Sequence, residues 1–156
     1  MEPSPPEYRI LPAGWRDLGA LRYLEKVCFP KDVWPLLDLI GVLTLPNVIR
    51  LKAVRNDPIS GDQMIGFVAG DKRSSALGWI ATIGVLPAYR RQGVASALLK
   101  ECETRLEVAQ IRLSVRLGNT GAIQLYEEFG YQRVDIWPNY YQDGTDALVF
   151  EKLRQI

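Results

Sequence analysis

Residues 83 to 95 read Ile83-Gly84-Val85-Leu86-Pro87-Ala88-Tyr89-Arg90-Arg91-Gln92-Gly93-Val94-Ala95, and the fold is decided there. The stretch opens inside an apolar run, Leu77–Val85, that is too continuous for a half-exposed strand and predicts a central strand covered on both faces. Pro87 ends the run. From Gly93 the spacing changes: Val94, Leu98, Cys102, Leu106 and Ala109 fall on one helical face, with Lys100, Glu101, Glu103 and Glu107 mostly off it. A buried strand therefore turns tightly into an amphipathic helix, with a glycine and two arginines at the turn. Unpaired N–H groups and the positive end of the helix dipole make such a turn an anion site. Gly93 lets the backbone approach a bulky phosphate closely, so a diphosphate is the expected ligand. No Gly-Lys-Ser/Thr follows, which excludes a P-loop, and the triple-glycine spacing of a dinucleotide site is missing.

Outward from this turn, residues 8–11 form a short strand, and residues 15–28 place Leu18, Leu21, Leu24 and Cys28 at helical spacing. A second helix is expected from Val33 to about Leu43, with Pro35 in its first turn and Pro46 beyond its end. Residues 48–55 and 64–71 flank a segment dense in turn formers and make an antiparallel hairpin. Downstream come a strand at 111–115, a helix marked by Ala122, Leu125, Tyr126 and Phe129 and closed by Gly130, and strands at 131–136 and Ala147–Leu153. The order β-α-α-β-β-β-α-β-α-β-β is an α/β fold around one mixed sheet. One domain is expected over residues 1–156, with proline-rich residues 1–6 as a flexible lead-in.

Composition narrows the chemistry. The 156 residues contain no histidine, which removes imidazole bases, Ser-His and Cys-His nucleophile pairs and histidine-rich zinc sites. Cys28 and Cys102 share no metal-ligand spacing and read as small buried hydrophobes; no metal is expected. A net charge of +1 lacks the basic excess of a nucleic-acid binder. No apolar run reaches the roughly 18 to 20 residues of a membrane span, and the first residues lack the order of a signal peptide. The expected location is the cytoplasm, without membrane or nucleic-acid partners.

The segment Arg90-Arg91-Gln92-Gly93-Val94-Ala95 resembles the Gln/Arg-x-x-Gly-x-Gly/Ala signature of the GNAT acetyltransferases. The downstream Asn119-x-x-Ala122-x-x-Leu125-Tyr126-x-x-x-Phe129-Gly130-Tyr131 matches the same family in order and spacing, and together these span about half the chain. The resemblance implies the acyl-CoA N-acyltransferase fold, a mostly antiparallel sheet flanked by helices, with acetyl-CoA as co-substrate. It implies that Arg90 and the backbone N–H groups of Arg91, Gln92, Gly93, Val94, Ala95 and Ser96 hold the pyrophosphate, and that the backbone of Ile83 and Val85 holds the pantetheine arm. Asn119 corresponds to a further cofactor contact, and Tyr126 to the general acid for the departing thiolate.

A narrower resemblance is to the protein N-terminal acetyltransferases, including the bacterial enzyme that modifies a ribosomal protein. It rests on the run from Asn139 to Leu148, on the Phe29-Pro30 loop and on residues 114–119. It implies that Phe29, Pro30, Tyr140 and Tyr141 face the substrate, a peptide or protein α-amine. A GNAT enzyme acting on a small amine and a CoA-binding module without turnover remain alternatives, as do monomer and homodimer. Members of this subgroup often carry Glu or His where this chain has Ser114, and some carry Tyr where it has Trp79; neither replacement serves as a base near neutral pH. Glu25, on the first helix, is a possible substitute.

Overall fold

The computed structural model describes residues 7–155; the expectation of a flexible lead-in at 1–6 lies outside them. The chain runs β1 (Arg9–Pro12), a 3-10 turn (Trp15–Asp17), α1 (Leu18–Cys28), α2 (Leu36–Thr44), β2 (Val48–Asp57), β3 (Gly61–Lys72), β4 (Leu77–Val85), a second 3-10 turn (Pro87–Tyr89), α3 (Val94–Leu106), β5 (Gln110–Arg116), α4 (Thr120–Glu128), β6 (Gln132–Trp137) and β7 (Ala147–Leu153). The strands form one sheet in the order β1-β2-β3-β4-β5-β7-β6. Every pairing is antiparallel except that of β4 with β5, so the expected mixed, mostly antiparallel sheet is what the chain builds. No helix among the described residues is long and apolar enough to cross a membrane.

Helices cover both faces. On one, Leu98, Leu99, Cys102 and Leu106 of α3 pack with Val68, Ile80, Ile111 and Leu113 of the sheet, and Tyr126 of α4 joins them. On the other, Leu21 and Leu24 of α1 and Leu39 and Leu43 of α2 pack on Phe67 and Ala69. Close approach of α3 depends on Gly70, where a Cβ would meet Cys102 Sγ at 2.7 Å.

Four local expectations change. α2 starts at Leu36 and leaves Pro35 as its extended N-cap; a helix from Val33 would need Trp34 helical just before a proline, which the ring disfavours. α3 ends at Leu106 because Glu107 turns left-handed, and the Ala109 carbonyl beyond it accepts the Arg154 N–H at 2.7 Å. Glu103 is buried instead of solvated. It accepts the Tyr131 hydroxyl at 2.6 Å and Lys152 Nζ at 2.9 Å, which ties α3 to β7 and offsets its desolvation. Cys28 is half-exposed, while Cys102 is fully buried.

Candidate active site

β4 loses a partner halfway along. It pairs with β5 only through Leu77↔Gln110, Gly78↔Ile111 and Trp79↔Arg112, while it stays bonded to β3 as far as Val85. Along that β3 edge Ala69 faces Thr82 but Gly70 faces Ile80, so Ala81 is an extra residue. Such a bulge bends and twists its strand, and here it accompanies the parting of β4 from β5. This is why residues 81–84 are only half-buried, against the expectation of a strand covered on both faces.

Backbone groups of successive strand residues point to opposite edges. Since the Leu86 N–H donates to Ile65 of β3 at 2.8 Å, Val85 and Ile83 direct theirs to the open edge, where an extended ligand can add as a strand does. One of those groups is already engaged: the Val85 carbonyl accepts Arg90 Nε at 2.9 Å and the Cys28 thiol at 3.4 Å. Arg90 is therefore tethered to the strand end. Past it, Arg91 (φ 63°) and Gly93 (φ 80°) are both left-handed, and the N–H groups of residues 91–96 make no backbone hydrogen bond among the described residues. A Cβ at Gly93 would meet nothing within 4 Å, so glycine is needed there for its backbone conformation and for space that a ligand can use. The result is an anion cradle at the start of α3, at the far end of the gap.

Two titratable groups lie buried in opposite layers of the fold. Tyr126 comes from the α4 side, buried against Tyr131 and Phe150 at ring-centroid distances of 5.8 and 6.3 Å. Burial, and then the neighbouring Tyr141, push its pKa well above that of a free phenol, so it stays a proton donor at any physiological pH. Glu25 comes from α1 and is buried. Its Oε1 accepts the Thr82 hydroxyl at 2.9 Å, just beyond the bulge, and its Oε2 is the one buried side-chain polar atom without a partner among the described residues. Desolvation pushes its pKa up to about 7, against the opposing pull of the Thr82 bond. Asn119 caps α4, its side chain accepting the Ala122 N–H at 3.3 Å.

The mouth lies on the Glu25 side. Phe29 caps the end of α1 with its ring edge over Gly84, and Pro30 is exposed in the turn that follows. Arg116, at the end of β5, binds Asp32 through Nη2 at 2.6 Å and Asp143 through Nη1 at 2.7 Å. Its guanidinium carbon lies 4.4 Å from the centre of the Tyr141 ring. Hydrogen bonds from Thr145, and then Arg116, hold the Asp143 carboxyl down at about 2. Tyr140 packs on Tyr141 and on Trp137, and Trp137 stacks on Trp79 at 5.8 Å with the rings 7° from parallel. Segments 29–35 and 138–146 are thus fixed to the sheet, and between them opens a cleft of about 480 Å³ walled by Trp34, Pro35, Tyr140 and Tyr141. Sequence spacing does not bring Asp32, Arg116 and Asp143 together. Each sits near a quoted motif, but only the placement of β5 makes them one cluster.

A sheet split between parallel strands, open to an extended ligand that ends in a phosphate, is the architecture of acyltransferases that draw on a coenzyme A thioester. The model of the acetyltransferase (GNAT) family matches residues 38–131, and the chain belongs to that family. Among named relatives, the N-alpha-acetyltransferase of Saccharolobus solfataricus is 37% identical over 79 residues, 48% of this chain and 47% of that protein; the match spans about half that relative's length. The N-terminal acetyltransferase A complex catalytic subunit NAA10 of Arabidopsis thaliana is 27% identical over 87% of this chain and 72% of its own. Among solved structures, the ribosomal-protein-S18-alanine N-acetyltransferase of Escherichia coli superposes with a TM-score of 0.83 and 26% identity, covering 96% of this chain and 95% of that one.

Proposed function

We propose that this protein is an acetyl-CoA-dependent N-acetyltransferase whose acceptor is the α-amine of a peptide or protein N-terminus, attacked directly in a ternary complex. The observation that carries the reading is the gap between β4 and β5, with the α3 cradle at one end and buried Glu25 bonded to Thr82 on the freed stretch of β4. The residues fit the co-substrate: the N–H groups of residues 91–96 suit a diphosphate, and the open edge at Ile83 and Val85 suits an amide-bearing arm. Acetyl-CoA supplies a thioester carbonyl open to attack by a neutral amine.

The chain's part is to move two protons. Glu25 Oε2, unpartnered and near pKa 7, takes the proton of the incoming ammonium. Tyr126, kept protonated between turnovers by burial, passes its proton to the sulfur as the C–S bond breaks and in the same step takes up the second proton shed by the newly acylated nitrogen, so it ends as it began. The difference in basicity between amines supports the acceptor class. An α-ammonium near 7.7 to 8.0 lies less than about one unit above Glu25, whereas a lysine near 10.4 lies more than three above it, a difference of roughly 3 to 4 kcal/mol in the cost of deprotonation. The cleft between the two loops offers room for residues that follow an N-terminus, and three of the proteins similar to this chain are named for such substrates.

Acetyl-CoA turnover against a panel of short peptides, polyamines, aminoglycosides and amino acids tests this. Peptides with free α-amines are the expected acceptors. Faster turnover of the small amines assigns the cleft to them, and binding of acetyl-CoA without turnover of anything makes the protein a CoA-binding module.

A further inference from the structure

The two acids lining the cleft are not equivalent. Asp32 is committed, since Arg116 spans both of its oxygens. Asp38, in the first turn of α2, lines the same cleft and is exposed, and its carboxylate makes no ion pair or hydrogen bond among the described residues. An acid in a first helical turn also complements the helix dipole, which accounts for the residue type but not for a free carboxylate facing a walled cleft. Val33, Trp34, Pro35 and Tyr140 give that cleft its apolar sides. With Arg116 and Lys31 set against Asp32, Asp38 and Asp143, the cleft and its rim carry a net negative charge.

From this juxtaposition we infer that Asp38 reads a cation on the substrate, a Lys or Arg side chain in the residues just after the acetylated N-terminus. The inference rests on the cleft being the peptide's route to Glu25. Lys and Arg suit it on two counts. Their aliphatic stems lie along apolar surface while the charged head stays near water, and a free carboxylate at the wetter end offers that head a charge-assisted hydrogen bond. An exposed pair of this kind contributes about 1 kcal/mol or less, which corresponds to at most roughly a fivefold preference in kcat/KM, fading as salt screens it. Lys31, the cation in the lining and without an ion pair among the described residues, opposes the same side chain, so removing its charge strengthens the preference.

The test uses peptides identical except for Lys, Gln or Glu at position two, three or four, with the parent and the Asp38→Asn, Asp38→Lys and Lys31→Gln variants. The readout is the ratio of kcat/KM values between peptides, which cancels general losses of activity, with melting temperatures as a check on folding. At one of the three positions the parent should favour Lys over Gln, by up to about fivefold. Asp38→Asn should bring the ratio to one, Asp38→Lys should turn it toward Glu, and Lys31→Gln should raise it. A parent indifferent to all three substitutions, or a preference that survives Asp38→Asn, overturns the inference while peptide acetylation stands. Turnover of small amines but of no peptide overturns the reading of the cleft and the inference with it.

Discussion

Replacing Glu25 with glutamine should act on stability and catalysis in opposite directions. The unfolded carboxyl ionises near 4.5 and the folded one near 7. Between those values unfolding releases a proton, so stability falls as pH rises, and the loss is complete above 7. The two values correspond to a destabilisation of about 1 kcal/mol at pH 5.5 and about 3 kcal/mol at pH 8.5. Glutamine keeps an acceptor for Thr82 and has no charge to desolvate. Its amide nitrogen, placed where Oε2 lacks a partner, carries a penalty of its own, but one that does not vary with pH. The informative quantity is therefore the difference in pH dependence. Between pH 5.5 and 8.5 the parent should lose roughly 2 kcal/mol more than the variant, several degrees in Tm for a chain of this size. Denaturant titrations of both proteins at the two pH values measure it. In parallel, kcat/KM of the parent for a peptide should rise through a limb near pH 7, and the variant should lose that limb and about 10²- to 10⁴-fold in rate. Parallel stability profiles, or parental turnover in the variant, would refute the assignment of a desolvated base.

Three further outcomes follow from the same geometry. Acetyl-CoA should raise the Tm of the parent by mass action, and Gly93→Trp should abolish that shift, because a bulky side chain at φ 80° is strained and fills the cradle; an undiminished shift removes the cradle assignment. Tyr126→Phe should keep the affinity for CoA, since the ring still packs on Tyr131 and Phe150, while turnover falls about 10²-fold or more; parental turnover would mean that water protonates the thiolate. Arg116→Ala should release segments 29–35 and 138–146 together and raise KM for peptides on the order of tenfold, with KM for acetyl-CoA little changed; equal losses for both substrates would mean that the ion cluster serves the whole fold instead of the mouth.

Much of this architecture was legible because single segments carry strong local signals. The apolar runs at Leu77–Val85 and Ala147–Leu153 read directly as strands, and the 3.6-residue spacing from Val94 marked α3. Gly93 stood out as a glycine at a helix start, and the structure gives it the backbone angle that favours glycine. What stayed illegible depends on tertiary neighbours. The bulge at Ala81 needs the register of β3. In the sequence Glu25 is only a possible base, because a carboxylate on a helix is usually solvated and its burial beside Thr82 appears only when α1 is laid on the sheet. Trp79, which offers no base, stacks instead on Trp137, against which Tyr140 packs. Arg116, Asp32 and Asp143 lie far apart in sequence, and no periodicity joins them.

The most direct measurement uses one short peptide that carries both a free α-amine and an internal lysine, incubated with acetyl-CoA and the enzyme and then fragmented in a mass spectrometer to locate the acetyl group. Direct attack assisted by a carboxylate near pKa 7 predicts acetyl on the α-nitrogen, none on the lysine, and none on Cys28 or Cys102 of the enzyme. Acetyl found first on the lysine, or trapped on either cysteine and later passed to the peptide, would contradict it.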